Sequence, residues 1–406
     1  MSDDATTASP AEATPFSLRP IMIPAFAPVL MFGMAEGAVL PVVALTARDL
    51  GGSVATASFI VALIAIGSLL SNIPSSYITV RYGERTALVA AGCVTTCALL
   101  AAMVAPSNLV LGLTMLVVGS SDAVFSLARQ SYLTERVPIH MRARALSTLG
   151  GSGRIGFFIG PFIGAGAIHL FGIRAAYAVG AAAAAVAGLI GVFSRELTSF
   201  SAHAGQPHTP VRLPTMLRTY RRVFLTLGIG ITLVSAVRAS RQVVVPLWAE
   251  HLGLSAAATS LLFGIAGTLD MAVFYPAGKV MDRKGRRWVA VPSMLLMGLA
   301  LLTVPFTHGF LSLMVVSMVL GFANGIGSGM VMTMAADHAP AVGRPVFLGV
   351  WRQLSDIGNC GGPVLLSAVT GTVGLAAGIG VNGGIGLLAA RVLWYWVPRA
   401  GRVKRR

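Results

Sequence analysis

The sequence predicts an all-α membrane protein with twelve transmembrane helices in two pseudo-symmetric six-helix bundles. Three observations lead to this fold class. Long uncharged runs fill a chain of 406 residues that is 55% hydrophobic and only 11% charged. A constant shift of 202 positions lays one half of the chain over the other. The basic residues, which give a formal charge of +16, are concentrated in short segments between apolar runs.

The apolar runs set the number of spans. Crossing about 30 Å of hydrocarbon takes roughly twenty helical residues. On that ruler the spans fall near 21–45, 55–79, 86–106, 108–129, 144–169, 174–194, 223–248, 255–280, 288–307, 309–335, 345–370 and 375–397. The domains follow: a polar N-terminal tail over 1–20, a first bundle over 21–194, a connecting loop over 195–222, a second bundle over 223–397 and a basic tail over 398–406. The first twenty residues lack the charged start and cleavage site of a signal peptide and read as a disordered tail. Glycine, present 47 times, is commoner in membrane helices than in soluble ones. Cys93, Cys97 and Cys360 all fall within apolar runs, which argues against a disulfide framework.

The repeat is read from Gly278–Arg287, GKVMDRKGRR, which packs five basic residues and an Asp into ten positions. Shifting by 202 places Gly83 under Gly285, Arg81 under Arg283 and Arg85 under Arg287. The same shift pairs Arg142 with Arg344, Pro138 with Pro340, Gly119 with Gly321, and Gly156, Gly160 and Pro161 with Gly358, Gly362 and Pro363. Parallel repeats of this size in an apolar chain imply two bundles with a binding site between them. Gly278 and Gly285 are expected to end one helix and turn the chain into the next.

Charge placement gives the orientation. Of 30 basic residues, 24 fall on one side of the predicted spans, Arg48 and Arg174 fall on the other, and four lie within spans. Carrying Lys or Arg across hydrocarbon is costly, so the richer side is the cytoplasm, and both termini are expected there. This placement accounts for the positive charge without a nucleic-acid partner.

Eight ionisable residues lie well inside spans: Glu36, Asp122, Asp270, Asp356, Arg154, Arg238, Arg241 and Arg352. A lone charge at the bilayer centre costs about 2.5–3.5 kcal/mol on insertion scales, so these side chains should pair or line a wet cavity. The shift opposes Arg238 to Glu36 and Asp356 to Arg154, reversing the sign, and sets Asn324 against Asp122. Arg352 and Asp356 share a helix face, being four apart. A fixed salt bridge and a titrating transport group are both open readings, with Glu36 and Asp122 favoured as proton sites and Asp270 and Asp356 as structural or gating partners.

Other chemistries find little support. Gly151–Gly156 reads GSGRIG and matches a dinucleotide-loop spacing, but no strand precedes it and no acid follows before Glu196. No phosphate-binding loop of the G-x-x-x-x-G-K-[ST] type occurs, and no Cys/His group has metal-ligand spacing. Neither a cofactor, a metal nor an enzymatic activity is expected.

GKVMDRKGRR resembles the loop signature of the major facilitator superfamily, G-x-L-x-D-R-x-G-R-[RK], with Gly278, Asp282, Arg283, Gly285 and Arg286 at its polar positions. Gly156–Gly164, GFFIGPFIG, is similar to that family's fifth-helix motif, G-x-x-x-G-P-x-x-G, characteristic of proton-coupled exporters. Gly156, Gly160 and Gly164 form a smooth ridge there, and Pro161 removes a backbone donor. The echo in the eleventh span keeps Gly358, Gly362 and Pro363 but not the last glycine. The first copy of the loop departs from the family, with Val80 in place of Asp and Glu84 in place of a base. Met115 also stands where drug antiporters carry an arginine.

The resemblance implies that Asp282 closes the cytoplasmic side against the start of the fifth span, near Arg142. It places the fifth span beside the eighth, and the eleventh beside the second and seventh. From that packing, Arg154 is expected to meet Asp270, and Asp356 to meet Arg238 or Arg241. The functional expectation is proton-coupled efflux of a small amphipathic compound by a monomer in the inner (plasma) membrane. The alternatives are a symporter or facilitator importing an organic anion, and a non-transporting receptor or scaffold.

Overall fold

The computed structural model describes residues 19–137, 139–193, 213–327, 329–340 and 344–397, apart from the side chains of 19–24, 73, 76, 80, 134–136, 139–147, 282 and 344–345. The first half runs α1 (Arg19–Asp49), α2 (Val54–Tyr82), α3 (Glu84–Met103), α4 (Asn108–Arg136), α5 (Ile139–Phe171) and α6 (Ala175–Phe193). The second runs α7 (Arg221–His251), α8 (Ala256–Lys284), α9 (Arg287–Thr303), α10 (Phe310–His338), α11 (Arg344–Val373) and α12 (Leu375–Trp396). A π-turn, Phe224–Gly228, lies within α7. Before α7, Leu213–Thr219 is a short helix inside the stretch expected to be a loop. The two tails and residues 194–212 lie outside the described residues.

Local chemistry repeats with the sequence. Ser53 caps α2 by accepting from the Thr56 amide, and Ser255 caps α8 by accepting from the Ala258 amide, 202 positions later. Positive-φ glycines occur in three repeat-related pairs: Gly51 with Gly253, Gly83 with Gly285 and Gly172 with Gly374. Gly83 (φ 81°) and Gly285 (φ 96°) reverse the chain between consecutive spans, where a Cβ would be strained. Gly278 does not do this. α8 continues through it to Lys284, so the turn rests on Gly285 alone.

Packing follows the same symmetry. In the first half α1 packs on α5 and α6, α2 on α4, and α3 on α4 and α6. In the second, α7 packs on α11 and α12, α8 on α10, and α9 on α10 and α12. The halves meet where α2 packs on α11 and α5 on α8, with further contacts from α1 to α7 and α8. These are the neighbours anticipated for the fifth and eleventh spans.

The glycine ridges explain the tightest of these contacts. A Cβ on Gly156 would strike the Leu30 carbonyl of α1, one on Gly160 would strike the Met34 carbonyl, and one on Gly164 would lie 3.3 Å from the Ala38 carbonyl. On α11, Gly358 and Gly362 face the carbonyls of Thr232 and Ala236 on α7 in the same way. Pro161 and Pro363 sit one residue beyond Gly160 and Gly362 without ending their helices.

Among the described residues, eleven helices are long and apolar enough to cross a membrane. α11 is the twelfth. Its 30 residues span about 45 Å at 1.5 Å per residue, but Arg352, Gln353, Ser355, Asp356 and Asn359 make it too polar to be counted by composition. Two of these groups bind neighbouring helices. The Ser355 and Ser235 hydroxyls lie 2.7 Å apart, and Asn72 of α2 donates to Asp356 at 2.9 Å. α4 also differs from expectation. It runs to Arg136, past the expected end of the span at 129, so Arg129 is 1% exposed within the helix.

Overpacking a filled core contact costs about 1–3 kcal/mol. Gly156→Val should therefore lower the thermal stability of the detergent-solubilised protein by several degrees. Gly278→Ala, which meets nothing within 4 Å, should leave it unchanged or slightly raised.

Candidate functional site

The eight charges are held on α1, α4, α5, α7, α8 and α11, most of them helices that meet across the two halves. Glu36 is exposed, although Ala35 and Ala38 beside it are 3% and 0% exposed. α1 is an interior helix, packed on α5 and α6 of its own half and on α7 and α8 of the other. An exposed carboxylate at its middle therefore opens into a hollow between the bundles.

The structure sorts the charges into two groups. Glu36 lies within electrostatic reach of Asp122, and Asp122 within reach of Arg352 and Asp356 of the opposite half. Arg352 approaches Asp356 at 3.8 Å, and Asp356 accepts from Asn72. Phe32 and Phe125 stack at 4.1 Å beside this group, one turn from Glu36 and Asp122 respectively. Asp122 and Asp356 thus share one arginine, with Glu36 beside Asp122.

The second group has the opposite balance. Arg154, Arg238 and Arg241 gather around Asp270. Arg154 reaches across the α5–α8 contact and lies over the Phe274 ring at 4.6 Å, one turn beyond Asp270. The Asp270 carboxylate accepts from Asn324 of α10 at 2.6 Å. Arg238 extends towards Gly327 of α10, where a Cβ would come within 2.6 Å of its Nη2.

One expected pairing is corrected. Asp356 does not meet Arg238 or Arg241, because its hydrogen-bond partner is Asn72 and its ion-pair partner is Arg352. α11 presents Asp356 to α2, while Arg238 and Arg241 lie in the field of Asp270. Arg154 and Asp270 are in the same group, as anticipated, with Phe274 as the ring beneath the guanidinium.

At the loop signature, Arg286 binds Asp337 through Nε (2.9 Å) and Nη2 (3.3 Å) and donates to the Met281 carbonyl, all within its own half. Glu84 stands at the equivalent place in the first half, within electrostatic reach of buried Arg129. Arg81 donates to the Tyr77 hydroxyl at 2.8 Å, and Arg283 is exposed. The side chains of Asp282 and Arg142 lie outside the described residues, as does that of Val80.

The sequence reading missed one contact between the halves. Arg48 Nε donates to both carboxylate oxygens of Glu250 at 2.9 and 3.0 Å, and its Nη1 donates to the Gly52 carbonyl at 2.7 Å. This joins the ends of α1 and α7 remote from the chain termini. The two residues are 202 apart, so the signal was present in the repeat. Nearby, Ser367 of α11 donates to the Ala55 carbonyl of α2 at 2.8 Å and ties the same end.

The family model described as Major Facilitator Superfamily matches residues 26–283 and again 227–406. The chain belongs to the Major Facilitator Superfamily. Its members are transporters, so a small-molecule substrate and a multi-pass membrane location follow. Multidrug resistance protein MdtG of Salmonella choleraesuis (strain SC-B67) is 23% identical over 275 residues, 66% of this chain and 68% of that protein. The MdtG of Enterobacter lignolyticus (strain SCF1) is 28% identical over 163 residues, 39% of each chain. Among solved structures, a D-xylose-proton symporter superimposes with a TM-score of 0.73 at 17% identity, covering 94% of this chain and 98% of that one. A peptide transporter, POT, also gives 0.73 at 13% identity, covering 93% and 94%. The superfamily fold is thus shared along nearly the whole chain.

Because Arg48 and Glu250 are each 32% exposed, their pairing is worth no more than about 0.2–1 kcal/mol. Arg48→Glu and Glu250→Arg should each loosen that end of the bundle, raising the reaction rate of a thiol reagent with a cysteine placed at Val43 by up to about fivefold. The double exchange should restore the original rate.

Proposed function

We propose that the chain is a proton-coupled exporter of small amphipathic compounds, working by alternating access between its two bundles. The observation that carries this reading is the acidic group. Asp122 of the first half lies within electrostatic reach of Arg352 and Asp356 of the second, and Glu36 lies beside Asp122. When the halves move apart, Asp122 loses its arginine neighbour, and the acidic pair is better able to hold a proton. When the halves close, the arginine returns and favours proton release.

Arg48–Glu250 and Ser367–Ala55 join the halves at the end remote from the termini, which supports reading that end as the closed one and the end that carries the termini as the open one. We place that end in the cytoplasm of a bacterial-type inner membrane, on the strength of 24 basic residues against two. The outward-facing form then requires closure at the signature loops, and we assign Asp282 and its turn to that task. The multidrug names of the relatives favour outward flux of amphipathic cargo. A second reading, import of an organic anion, draws on the arginine group, and the direction of flux separates the two.

The test is flux in proteoliposomes under an imposed pH gradient, with anilinonaphthalene sulfonate and ethidium as dyes of opposite charge. Movement against the proton gradient is expected for at least one dye. Glu36→Gln and Asp122→Asn should each reduce that movement at least about tenfold, the scale on which loss of a proton-transfer group is felt. Dye moving with the protons would favour the import reading. Undiminished flux in both variants would remove the carboxylates from the coupling mechanism.

A further inference from the structure

The arginine group has donors that no acceptor among the described residues satisfies. Nε and Nη2 of Arg238 and Nε of Arg241 are buried atoms without a hydrogen-bond acceptor. The neighbouring carboxylate does not supply one. Asp270 accepts from Asn324 through one oxygen, and its other oxygen is also without a partner. The group has therefore not collapsed into a closed salt bridge, although Asp270 lies within electrostatic reach of both arginines. Space has even been kept for a guanidinium, since Gly327 offers no side chain where Arg238 Nη2 comes to rest.

Leaving such donors dry is costly, most of all for charged groups. Three arginines against one carboxylate also leave excess positive charge at the core of a membrane protein. A fixed structural network would have closed both deficits from within. The acidic group cannot do so, because it is held by α1, α4 and α11 with its own arginine.

We propose that Arg238 and Arg241 form an oxyanion subsite in the central hollow, so that cargo carries a carboxylate or another oxyanion attached to an apolar body. The planar guanidinium forks suit a two-oxygen acceptor. The Phe274 ring under Arg154, 38% exposed, supplies apolar surface towards the rest of the cargo. An anion here neutralises the arginine group, while a proton taken at Glu36 or Asp122 neutralises the other. The inference rests on the transport reading only for the word cargo. The subsite itself belongs to the folded protein.

The experiment measures local charge selectivity and needs no knowledge of the natural cargo. In the full-length chain with Cys93, Cys97 and Cys360 changed to Ser, Gln242→Cys places a thiol one turn beyond Arg238 and next to Arg241. Its reaction rates with sulfonatoethyl and trimethylammonioethyl methanethiosulfonate, each normalised to a free thiol, give an anion-to-cation ratio. Any change in the ionisation of the new thiol affects both reagents alike and cancels. The ratio is expected to be about tenfold in favour of the anion. It should fall towards one when Arg238→Gln and Arg241→Gln are added, and survive Arg238→Lys with Arg241→Lys. A ratio at or below one, or a ratio indifferent to the Gln exchanges, overturns the proposal. Since no flux is measured, loss of pH-driven movement in the Glu36 and Asp122 variants leaves this outcome untouched, and the two readings fail separately.

Discussion

Hydrocarbon cannot solvate an ion, and that constraint organises this molecule. Eight ionisable side chains interrupt otherwise apolar spans, and each must face another polar group or water. The chain meets the requirement by turning those positions inward on helices that approach the opposite bundle. Charged groups are therefore gathered between the bundles, surrounded by tightly packed small-residue contacts. The two aspects depend on each other. Gly156 and Gly160 let α5 lie directly on α1, and Gly358 and Gly362 let α11 lie on α7. The charged stretches of α1, α5, α7 and α11 are thereby fixed in position.

Duplication gave the halves one architecture, and divergence gave the hollow its polarity. Caps, turn glycines and helix neighbours all recur at the 202-residue interval. Even contacts at the helix ends recur: Arg85 donates to the Val192 carbonyl, and its counterpart Arg287 lies 3.6 Å from the ring centroid of Trp394, the counterpart of Val192. The charges break the pattern. Glu36 is opposed by Arg238, Arg154 by Asp356, and Arg48 by Glu250. Sign reversal at equivalent positions turns a symmetric scaffold into one with an acidic wall and a basic wall. At Arg48 and Glu250 it makes the two halves attractive to each other.

Much of this was legible in the chain. The spans, the repeat and the neighbours of the fifth and eleventh helices follow from hydropathy, spacing and the signature GKVMDRKGRR. Helix ends were harder. α4 carries Arg129 inside the protein because Phe125 and Tyr132 cover it at about one turn on either side, a contact that hydropathy alone does not register. Gly278 was read as a turn residue because composition does not separate a glycine within a helix from one that must adopt positive φ. The division of charges into two groups was not legible either. Helix rotation decides whether Asp356 meets Asn72 or Arg238, and the sequence does not fix it. Reading equivalent positions as possible partners, and not only as copies, would have found Arg48–Glu250.

The most direct test of the central claim is water accessibility at the eight charged positions. A spin label placed at each of Glu36, Asp122, Arg154, Arg238, Arg241, Asp270, Arg352 and Asp356 in the bilayer-reconstituted protein reports collisions with a water-soluble nickel chelate and with lipid-soluble oxygen. The account requires chelate collisions to dominate at these sites and oxygen to dominate at Leu113 and Leu189, which are exposed on the outer surface. Oxygen-dominated relaxation at most of the eight would place them against lipid and contradict the account.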